Sequence, residues 1–380
     1  MDSAIPFNKP FADEIGQRYV GQALSSPKHS GDGPFTQRCH ALLESVLGVE
    51  KVLLTTSCTH ALEMSALLID LQAGDEVIVP SFTFASTANA FALRGARLVF
   101  ADIRRDTLNL DEAQLESLIT PRTRAIVLVH YAGVGCEMET ILAVARRHGI
   151  FVIEDNAHGL FGRYRRQWLG TFGLFATQSF HETKNFSCGE GGALLINDRK
   201  FIQRAEIIRE KGTNRTRFFR GEVDKYSWVD VGSSYLPSDL LAALLLSQLE
   251  VWKEIQAKRQ KIWQTYYTSL KEWAMRQGVA LPLVPAECDQ AYHMFYMLLP
   301  SLKTRQALIS HLRARSILAV FHYLPLHLSD YGKSWGAEAG DCPVTEDVSD
   351  RLLRLPFYNT LDESTQSRVI SAILEFSAES

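Results

Sequence analysis

Two ionisable side chains follow apolar runs in the middle of the chain. Lys184 stands between the apolar run 174–180 and the glycine-rich turn 189–192. Asp155 follows the apolar run 150–153. An amine and a carboxylate at neighbouring strand ends could serve pyridoxal phosphate, because that cofactor needs an amine for its Schiff base and a carboxylate that keeps its ring nitrogen protonated. A solvated lysine is the alternative, since lysines near strand ends are common.

The residues 57–60 come directly after a predicted strand and before a helical pattern. Thr59 is expected to cap that helix, because threonine is a favoured N-cap residue. Free N–H groups at the start of a helix bind phosphate well. The motif therefore allows either a phosphate site or a capped helix without a ligand.

Two carboxylates and a histidine follow another predicted strand, as Glu154, Asp155 and His158. Such a group could work in acid–base chemistry or bind a metal ion. A metal site needs further ligands, and the sequence points to none, so no metal is expected. The structural alternatives are an aspartate that caps the next turn and a histidine that is hydrogen-bonded in the core.

Three further motifs allow both structural and ligand-binding roles. Phe82 and Phe84 alternate after a strand, so they could pack in the core, or one of them could cover an aromatic ring. The basic cluster within 209–220 contains Gly, Thr and Asn, which suits a diphosphate-binding loop as well as a solvated face. His322 and His327 likewise allow a structural or a ligand-binding role.

The elements that must position these residues alternate along the first two-thirds of the chain. Continuous apolar strands separated by helices indicate a mainly parallel sheet that is covered on both faces. Ligands of such sheets bind beyond the carboxyl ends of the strands. Helical patterns are predicted over 61–70, 111–119 and 138–148. The seven strand candidates are 52–55, 76–79, 98–101, 125–130, 150–154, 174–180 and 193–196.

The pattern changes after Pro237. A long helical stretch runs to about Ala274, and a smaller α/β segment follows, with strand candidates over 293–299 and 318–324. Helices are predicted there over 304–315, 346–353 and 363–376. The sequence therefore predicts a large domain over 1–245. Its first dozen residues could pack on the small C-terminal domain. A linking helix and the small C-terminal domain would take 246–380.

Composition and charge exclude several classes of function. The 380 residues are 46% hydrophobic and 22% charged, with a net charge of −3, so no global basic field favours nucleic acid or an anionic membrane. The six cysteines show no CxxC pair, which favours free thiols in a reducing compartment. The N-terminus has no signal-peptide pattern, and no apolar run approaches the ~20 residues that span a bilayer. A cytoplasmic protein is expected.

In their order, these motifs resemble the DegT/DnrJ/EryC1/StrS family of sugar-nucleotide aminotransferases. That family has the fold of type I pyridoxal phosphate enzymes, related to aspartate aminotransferase: a large domain with a mainly parallel seven-stranded sheet and a smaller C-terminal α/β domain. The resemblance covers nearly the whole chain. It rests on Ser57, Thr59, Ala61 and Leu62, on Pro-Ser-Phe-Thr-Phe at 80–84, Asp-x-Ala-His at 155–158, Ser-Phe-His-x-Thr-Lys at 179–184, Gly-Glu-Gly-Gly at 189–192 and His-Tyr-x-Pro-Leu-His at 322–327.

The resemblance implies a role for each candidate site residue. Lys184 would form the Schiff base with pyridoxal phosphate, and Asp155 would pair with the ring nitrogen. His158, where many relatives have Gln, would contact the phenolic oxygen. Ser234 departs from the family pattern, because many relatives carry there an Asn that reaches the cofactor phosphate of the partner subunit. The remaining residues are Thr59, His60 and Ser179 for the phosphate, Phe84 for stacking on the ring, and Lys211, Arg215 and His322 for the substrate.

The implied reaction is transamination of dTDP-4-keto-6-deoxyglucose with L-glutamate, in a homodimer with its active site at the subunit interface. The galacto product, dTDP-4-amino-4,6-dideoxygalactose, is favoured, and the pathway would be that of a surface polysaccharide such as enterobacterial common antigen or O-antigen. The alternatives are the gluco product or another nucleotide-keto-sugar substrate in the same family. Lys184 argues against a sugar 3-dehydratase, which has histidine at that position, and the intact set of site residues argues against a non-catalytic relative.

Overall fold

Seven strands form one twisted sheet in the computed structural model, which describes residues 4–377. The strands of the chain are β1 Lys51–Thr55, β2 Glu76–Pro80, β3 Arg97–Ala101, β4 Thr123–Val129, β5 Phe151–Asp155, β6 Arg163–Tyr164, β7 Gln167–Trp168, β8 Phe175–Ser179, β9 Gly192–Ile196, β10 Cys288–Asp289, β11 Tyr296–Leu298 and β12 Leu352–Arg354. The sheet has the order β1-β9-β8-β5-β4-β2-β3. Only β9 runs antiparallel to its two neighbours in this sheet. The predicted α/β class with a mainly parallel seven-stranded sheet is confirmed.

Helices cover both faces of this sheet. The helices of residues 4–377 are α1 Glu14–Ser25, α2 Pro34–Leu47, α3 Cys58–Leu68, α4 Ala85–Ala92, α5 Leu115–Leu118, α6 Met138–His148, α7 Ile202–Arg209, α8 Arg215–Phe219, α9 Asp239–Glu250, α10 Trp252–Arg276, α11 Leu302–Ala314, α12 Asp330–Lys333, α13 Pro343–Arg351 and α14 Glu363–Leu374. Neighbouring residues of a strand point to opposite faces, so Leu53 packs in a core with α3 and α7, whereas Leu54 packs in a core with α2 and α9. Both faces are apolar because both are buried.

A further hydrophobic core lies between α10, α11, α14 and the antiparallel pair β11 and β12. Ile5 belongs to this core and pairs with Ile317, and the Phe357 N–H donates to the carbonyl oxygen of Phe7 at 3.1 Å. The N-terminal segment thus crosses to the C-terminal part of the chain. The domain division between residues 245 and 246 falls within α9 and stays a prediction.

Two predicted elements show the largest differences from the structure. The long helix predicted from Pro237 is interrupted at Val251, whose backbone leaves the helical region (φ −108°, ψ 26°), so α9 and α10 are separate helices. The strand predicted over 318–324 does not form. Only Val320 in it pairs with a strand residue, Arg354, and residues 320–324 line a cavity.

No helix among residues 4–377 is both long enough and apolar enough to cross a membrane.

Candidate active site

Asp155 and Lys184 lie at one edge of the sheet. Asp155 is the last residue of β5, and Lys184 lies in the loop that follows the neighbouring strand β8. The two strands are parallel, with Asp155 opposite Thr177. Both side chains line a cavity of about 770 Å³ beyond the carboxyl ends of these strands, where sheets of this kind bind ligands. The fold therefore brings the two sequence candidates together.

The Asp155 carboxylate is buried and only partly hydrogen-bonded. The hydroxyl of Thr87 donates to Oδ2 at 2.7 Å, and the N–H of Ala157 donates to Oδ1 at 3.2 Å. Burial raises the pKa of the Asp155 carboxyl above its ordinary value, and these two hydrogen bonds only partly oppose that effect. A cation beside this carboxylate would stabilise its charged form.

Burial has the opposite effect on the pKa of the Lys184 amine. Desolvation lowers its pKa from 10.5 to about 8, although Cys58 and Asp155 favour the charged form. A lysine with that pKa is neutral in about a tenth of the molecules at pH 7, far more often than an ordinary lysine. It can therefore act as a nucleophile and as a proton-transfer base.

The His158 ring has one nitrogen without a partner. It stacks on His293, with ring centroids 4.2 Å apart and an interplanar angle of 13°. Its Nδ1 is buried and makes no hydrogen bond to any described residue. Burial also lowers the pKa of the His158 ring well below its ordinary value, so the ring is neutral. A buried polar atom of this kind marks a position where a polar ligand atom would fit.

The start of α3 faces the same cavity. Ser57 is its N-cap residue, and the hydroxyl oxygen of Ser57 accepts from the N–H of His60 at 3.1 Å. The prediction that Thr59 caps this helix is wrong, because Thr59 lies inside the first turn and its hydroxyl donates to Ser86 at 2.8 Å instead. Ser57, Thr59 and Ser86 line the cavity, so hydroxyl groups gather at a positive helix end.

The other phosphate candidates differ in position. Ser179, at the end of β8, lines the cavity. The His60 ring does not line it; that ring bonds to the hydroxyl of Thr56 and contacts the Tyr235 ring at 5.1 Å. Only the backbone of His60 lies at the helix start, and its N–H is taken by the Ser57 cap.

The two phenylalanines that alternate after β2 separate by burial. Phe82 is 1% exposed and packs against Tyr131. Phe84 is 61% exposed and lines the cavity. Phe84 is therefore the aromatic side chain available to a ligand ring, and Phe82 is a core residue.

The two histidines of the 322–327 motif also separate. His322 lines the cavity, and its Nδ1 lies 3.0 Å from the hydroxyl of Tyr131. His327 is fully buried outside the cavity, where it bonds to Ser81 at 2.6 Å and to Glu346 at 3.0 Å. His327 has a structural role.

Glu154 is structural as well, which settles one alternative left open by the sequence. Its carboxylate pairs with Nε2 of His130 at 2.8 Å and accepts from the backbone N–H groups of Gly170, Phe172 and Gly173. A carboxylate with this many donors has no free position for acid–base work. Within residues 4–377, no cluster of three or more His, Cys, Asp or Glu side chains is suited to a metal ion.

Lys211, Arg215 and Ser234 do not line the cavity of their own chain. Both basic side chains reach Glu210, at 3.0 Å from Lys211 and 3.5 Å from Arg215. Ser234 also pairs with Glu210 through a backbone bridge. These three candidates therefore form a separate surface group, and their predicted contacts with cofactor and substrate remain predictions.

A sequence profile of the DegT/DnrJ/EryC1/StrS aminotransferase family matches residues 11–374. The chain belongs to this family. The aminotransferase is 32% identical over 97% of its length to the spore coat polysaccharide biosynthesis protein SpsC of Bacillus subtilis, and covers 96% of that protein.

Solved structures of other aminotransferases superpose on most of this aminotransferase. One is a DegT/DnrJ/EryC1/StrS aminotransferase from Brucella abortus, with a TM-score of 0.86, 30% identity and 94% of both chains covered. Another is PseC of Helicobacter pylori, an aminotransferase of pseudoaminic acid biosynthesis, with a TM-score of 0.88, 25% identity and coverage of 98% and 99%. The pyridoxal phosphate form of Spr1654 from Streptococcus pneumoniae shares the fold, with a TM-score of 0.90 at 24% identity and 98% of both chains covered.

The enzyme is a pyridoxal phosphate-dependent aminotransferase, and its cavity fits that cofactor. An amine with a lowered pKa, a buried carboxylate and the unpartnered Nδ1 of His158 face one cavity. Hydroxyl groups at a helix start suit its phosphate. When bound, pyridoxal phosphate supplies an electron sink for a carbanion.

Three cavity residues of the aminotransferase were missed by sequence reasoning. Thr87 fixes the Asp155 carboxylate, His293 supports His158, and Arg354 brings a cation into the cavity. Thr87 could have been found from its spacing, since it lies one helical turn after Phe84. His293 and Arg354 carry no local signal, because they reach the cavity only through the tertiary fold.

Proposed function

We propose that the enzyme transfers the amino group of L-glutamate to dTDP-4-keto-6-deoxyglucose. The products would be dTDP-4-amino-4,6-dideoxygalactose and 2-oxoglutarate, as in a dTDP-4-amino-4,6-dideoxygalactose transaminase. The observation that carries the aminotransferase part is the convergence of Lys184 and Asp155 on one cavity in a chain of this family. The pathway would be cytoplasmic synthesis of a surface polysaccharide of the enterobacterial common antigen or O-antigen type.

The substrate assignment is supported by sequence stretches that resemble that transaminase. They are residues 5–10, 31–33, 205–215 and 231–236. SpsC, which is named for spore coat polysaccharide biosynthesis, supports the polysaccharide pathway.

The site residues would contact different parts of the cofactor. Lys184 would bind it covalently, and Asp155 would hold a proton on the ring nitrogen. His158 would meet the phenolic oxygen, and Phe84 would stack on the ring. Thr59, the helix start at His60, Ser179 and, from a partner subunit, Ser234 would bind the phosphate. Lys211, Arg215 and His322 would contact the substrate.

Lys184 would also move the proton. Its amine would take the proton from the α-carbon of glutamate and later return it within the site, and pyridoxal phosphate, when bound, would supply the electron sink for the carbanion. A pKa of about 8 suits both steps, because a base is most effective when its pKa is near the working pH. The same amine would work in the opposite direction on the keto sugar.

The homodimer is supported by an exposed apolar surface next to Ser234. Six large apolar side chains between residues 218 and 231 are exposed, and these are Phe218, Phe219, Tyr226, Trp228, Val229 and Val231. Large exposed apolar patches mark interaction sites. We propose that a second copy of this chain covers the patch and that Ser234, Lys211 and Arg215 then contact its cavity.

The decisive test is to incubate the purified enzyme with dTDP-4-keto-6-deoxyglucose and L-glutamate and to determine the product by NMR. We expect the small H3–H4 coupling of an axial amine at C4. A large coupling would show the gluco product and overturn the galacto assignment. Conversion of a UDP-keto-sugar, with none of the dTDP-sugar, would overturn the nucleotide assignment.

Lys184→Ala tests the chemistry independently of the sugar. This variant should lose turnover and the visible absorbance of the cofactor-bound enzyme. Lys303→Ala, at an exposed lysine of α11, serves as the control and should keep both. Transamination by Lys184→Ala would contradict the role of this lysine.

A further inference from the structure

Arg354, the last residue of β12, brings an incompletely bonded cation into the cavity. One guanidinium nitrogen donates to the carbonyl oxygen of Phe321 at 3.2 Å, and the group lies over the Phe7 ring, 4.7 Å from its centroid. Its Nε is buried and has no hydrogen-bond partner. Among residues 4–377, no carboxylate lies within ion-pair distance of it. Arg354 is thus a partly buried positive charge that no described residue neutralises.

Arg259, a buried arginine without a carboxylate partner, shows what a structural arrangement looks like. Arg259 donates to the carbonyl oxygens of Tyr292 and His293 and to the side chain of Asn359. Each of its three nitrogens therefore has an acceptor, and it does not line the cavity. Arg354 lacks such a set and faces the cavity instead.

An unpartnered Nε alone does not indicate a ligand site. Arg163, Arg209 and Arg305 have the same feature, but none of them lines the cavity. Arg354 combines the free donor with access to the space in front of Lys184. Burial also lowers the pKa of Arg354 without neutralising it, so an anion that enters the cavity gains from pairing with it.

The charge of Arg354 acts on the reacting amine. Its positive charge is one of the influences that lower the pKa of Lys184, and it acts in the same direction on His158 and His322. Arg354 also lines the same cavity as these three groups, which would surround the reacting carbon. It is also held in place, because its backbone pairs with Val320 through hydrogen bonds of 2.7 and 3.1 Å.

We propose that Arg354 binds the α-carboxylate of the amino donor. This carboxylate is bonded to the same carbon that gives its proton to Lys184. A cation in the cavity of Lys184 is therefore placed to bind it. A planar guanidinium pairs with a carboxylate through two parallel hydrogen bonds. The diphosphate of a sugar nucleotide is attached at C1, across the sugar ring from C4, and would lie farther from the reacting carbon. The inference rests on the proposed aminotransferase function and extends it to donor recognition.

The test uses the holoenzyme and the donor half-reaction alone. L-glutamate is added without sugar, and the change in cofactor absorbance is followed as a function of glutamate concentration. In Arg354→Gln we expect half-saturation by glutamate to rise about 10- to 100-fold, the effect of losing a hydrogen bond between charged groups. Arg354→Lys keeps the charge without the planar guanidinium, so its half-saturation by glutamate should lie between those of the wild-type enzyme and Arg354→Gln.

Replacing the α-carboxylate of glutamate by an amide gives a readout that a structural role would not change. The wild-type enzyme should discriminate strongly against the α-amide, and Arg354→Gln should lose that discrimination. The two changes should therefore be non-additive. Additive effects would overturn the proposal, as would glutamate half-saturation that stays within about twofold in Arg354→Gln.

Arg305→Gln is the matched control. Arg305 also has an unpartnered Nε and lies over the ring of Phe321, at 5.7 Å, but outside the cavity. It should lower the melting temperature without changing glutamate half-saturation. Equal weakening of glutamate and of the sugar nucleotide in Arg354→Gln would also overturn the proposal.

If the cofactor of the wild-type enzyme reacts with another L-amino acid and not with glutamate, the proposed donor is wrong. Arg354 is then tested with that amino acid in the same comparison, because every such donor carries an α-carboxylate.

Discussion

At the scale of single residues, burial shifts the pKa values of Lys184 and Asp155 in opposite directions, and both shifts favour the neutral form. It lowers the pKa of the amine and raises the pKa of the carboxyl, so both are driven toward their neutral forms. The amine gains nucleophilicity from this. The carboxylate gains an affinity for a cation, which a protonated ring nitrogen supplies.

The lowered pKa of Lys184 predicts how fast the apoenzyme captures pyridoxal phosphate at different pH values. Only the neutral amine can form the covalent bond, so the rate should rise about tenfold per pH unit below pH 8 and level off above it. An amine with the ordinary pKa of 10.5 would show a rate that still rises at pH 10. The measurement is the appearance of visible absorbance after mixing at each pH.

Asp155→Asn provides the internal comparison for this profile. The aspartate favours the charged form of Lys184, so its removal should move the levelling-off to lower pH. A profile that continues to rise beyond pH 9 in the wild-type protein would contradict a desolvated Lys184.

Part of this site could be predicted from the sequence, and the reason is local. Lys184, Asp155 and His158 stand directly after apolar runs, and strand ends of a parallel sheet converge. Arg354 and His293 could not be predicted, because each lies in an apolar segment more than a hundred residues away from the residues it serves. Their role depends on how the C-terminal part packs against the sheet.

At the scale of elements, the start of α3 is held against the start of β9. A Cβ atom at Gly192 would overlap the backbone of both Ser57 and Cys58. The glycine of the 189–192 turn therefore permits the helix end, with its hydroxyl groups, to approach the strand. This close approach positions the proposed phosphate site.

Gly192→Ala should consequently weaken both the fold and cofactor binding. Overpacking of this kind typically costs about 1–3 kcal/mol, and the helix start must shift to relieve it. We expect a lower melting temperature of the apoenzyme and a higher Kd for pyridoxal phosphate, measured by calorimetry and by absorbance titration.

Gly21→Ala is the matched control for that variant. Gly21 lies within α1, where an added Cβ meets nothing within 4 Å. Alanine should stabilise that helix slightly and leave the Kd for pyridoxal phosphate unchanged. An unchanged Kd in Gly192→Ala would show that the close approach does not position the phosphate site.

The seven strands of the sheet could be predicted because each is a short, continuous apolar run between turn signals. The segment 318–324 has a similar composition but lines the cavity instead of pairing. Its apolar side chains, such as Phe321 and Leu324, are exposed there. Composition does not distinguish a strand buried in a sheet from a segment that faces a ligand.

At the scale of the whole molecule, the segment 215–235 forms a surface of its own. A Cβ atom at Gly232 would overlap the backbone of Gly212, and one at Gly212 would overlap the backbone of Asp230. These close contacts join the end of α7 to the segment that carries Trp228 and Ser234. The segment is therefore anchored at its base while its aromatic side chains stay exposed, as expected for an interface with a second copy.

The proposed dimer can be disrupted at this surface. Trp228 and Phe219 are 80% and 69% exposed, so aspartate at both positions should leave the fold of one subunit intact. A charge buried without a partner strongly opposes association, and the double variant should sediment as a monomer in analytical ultracentrifugation. Met275→Asp, at a 78% exposed position on α10, is the control and should stay dimeric. If Ser234 binds the partner's phosphate, the monomer should also retain less pyridoxal phosphate, whereas a double variant that remains dimeric would place the subunit contact elsewhere.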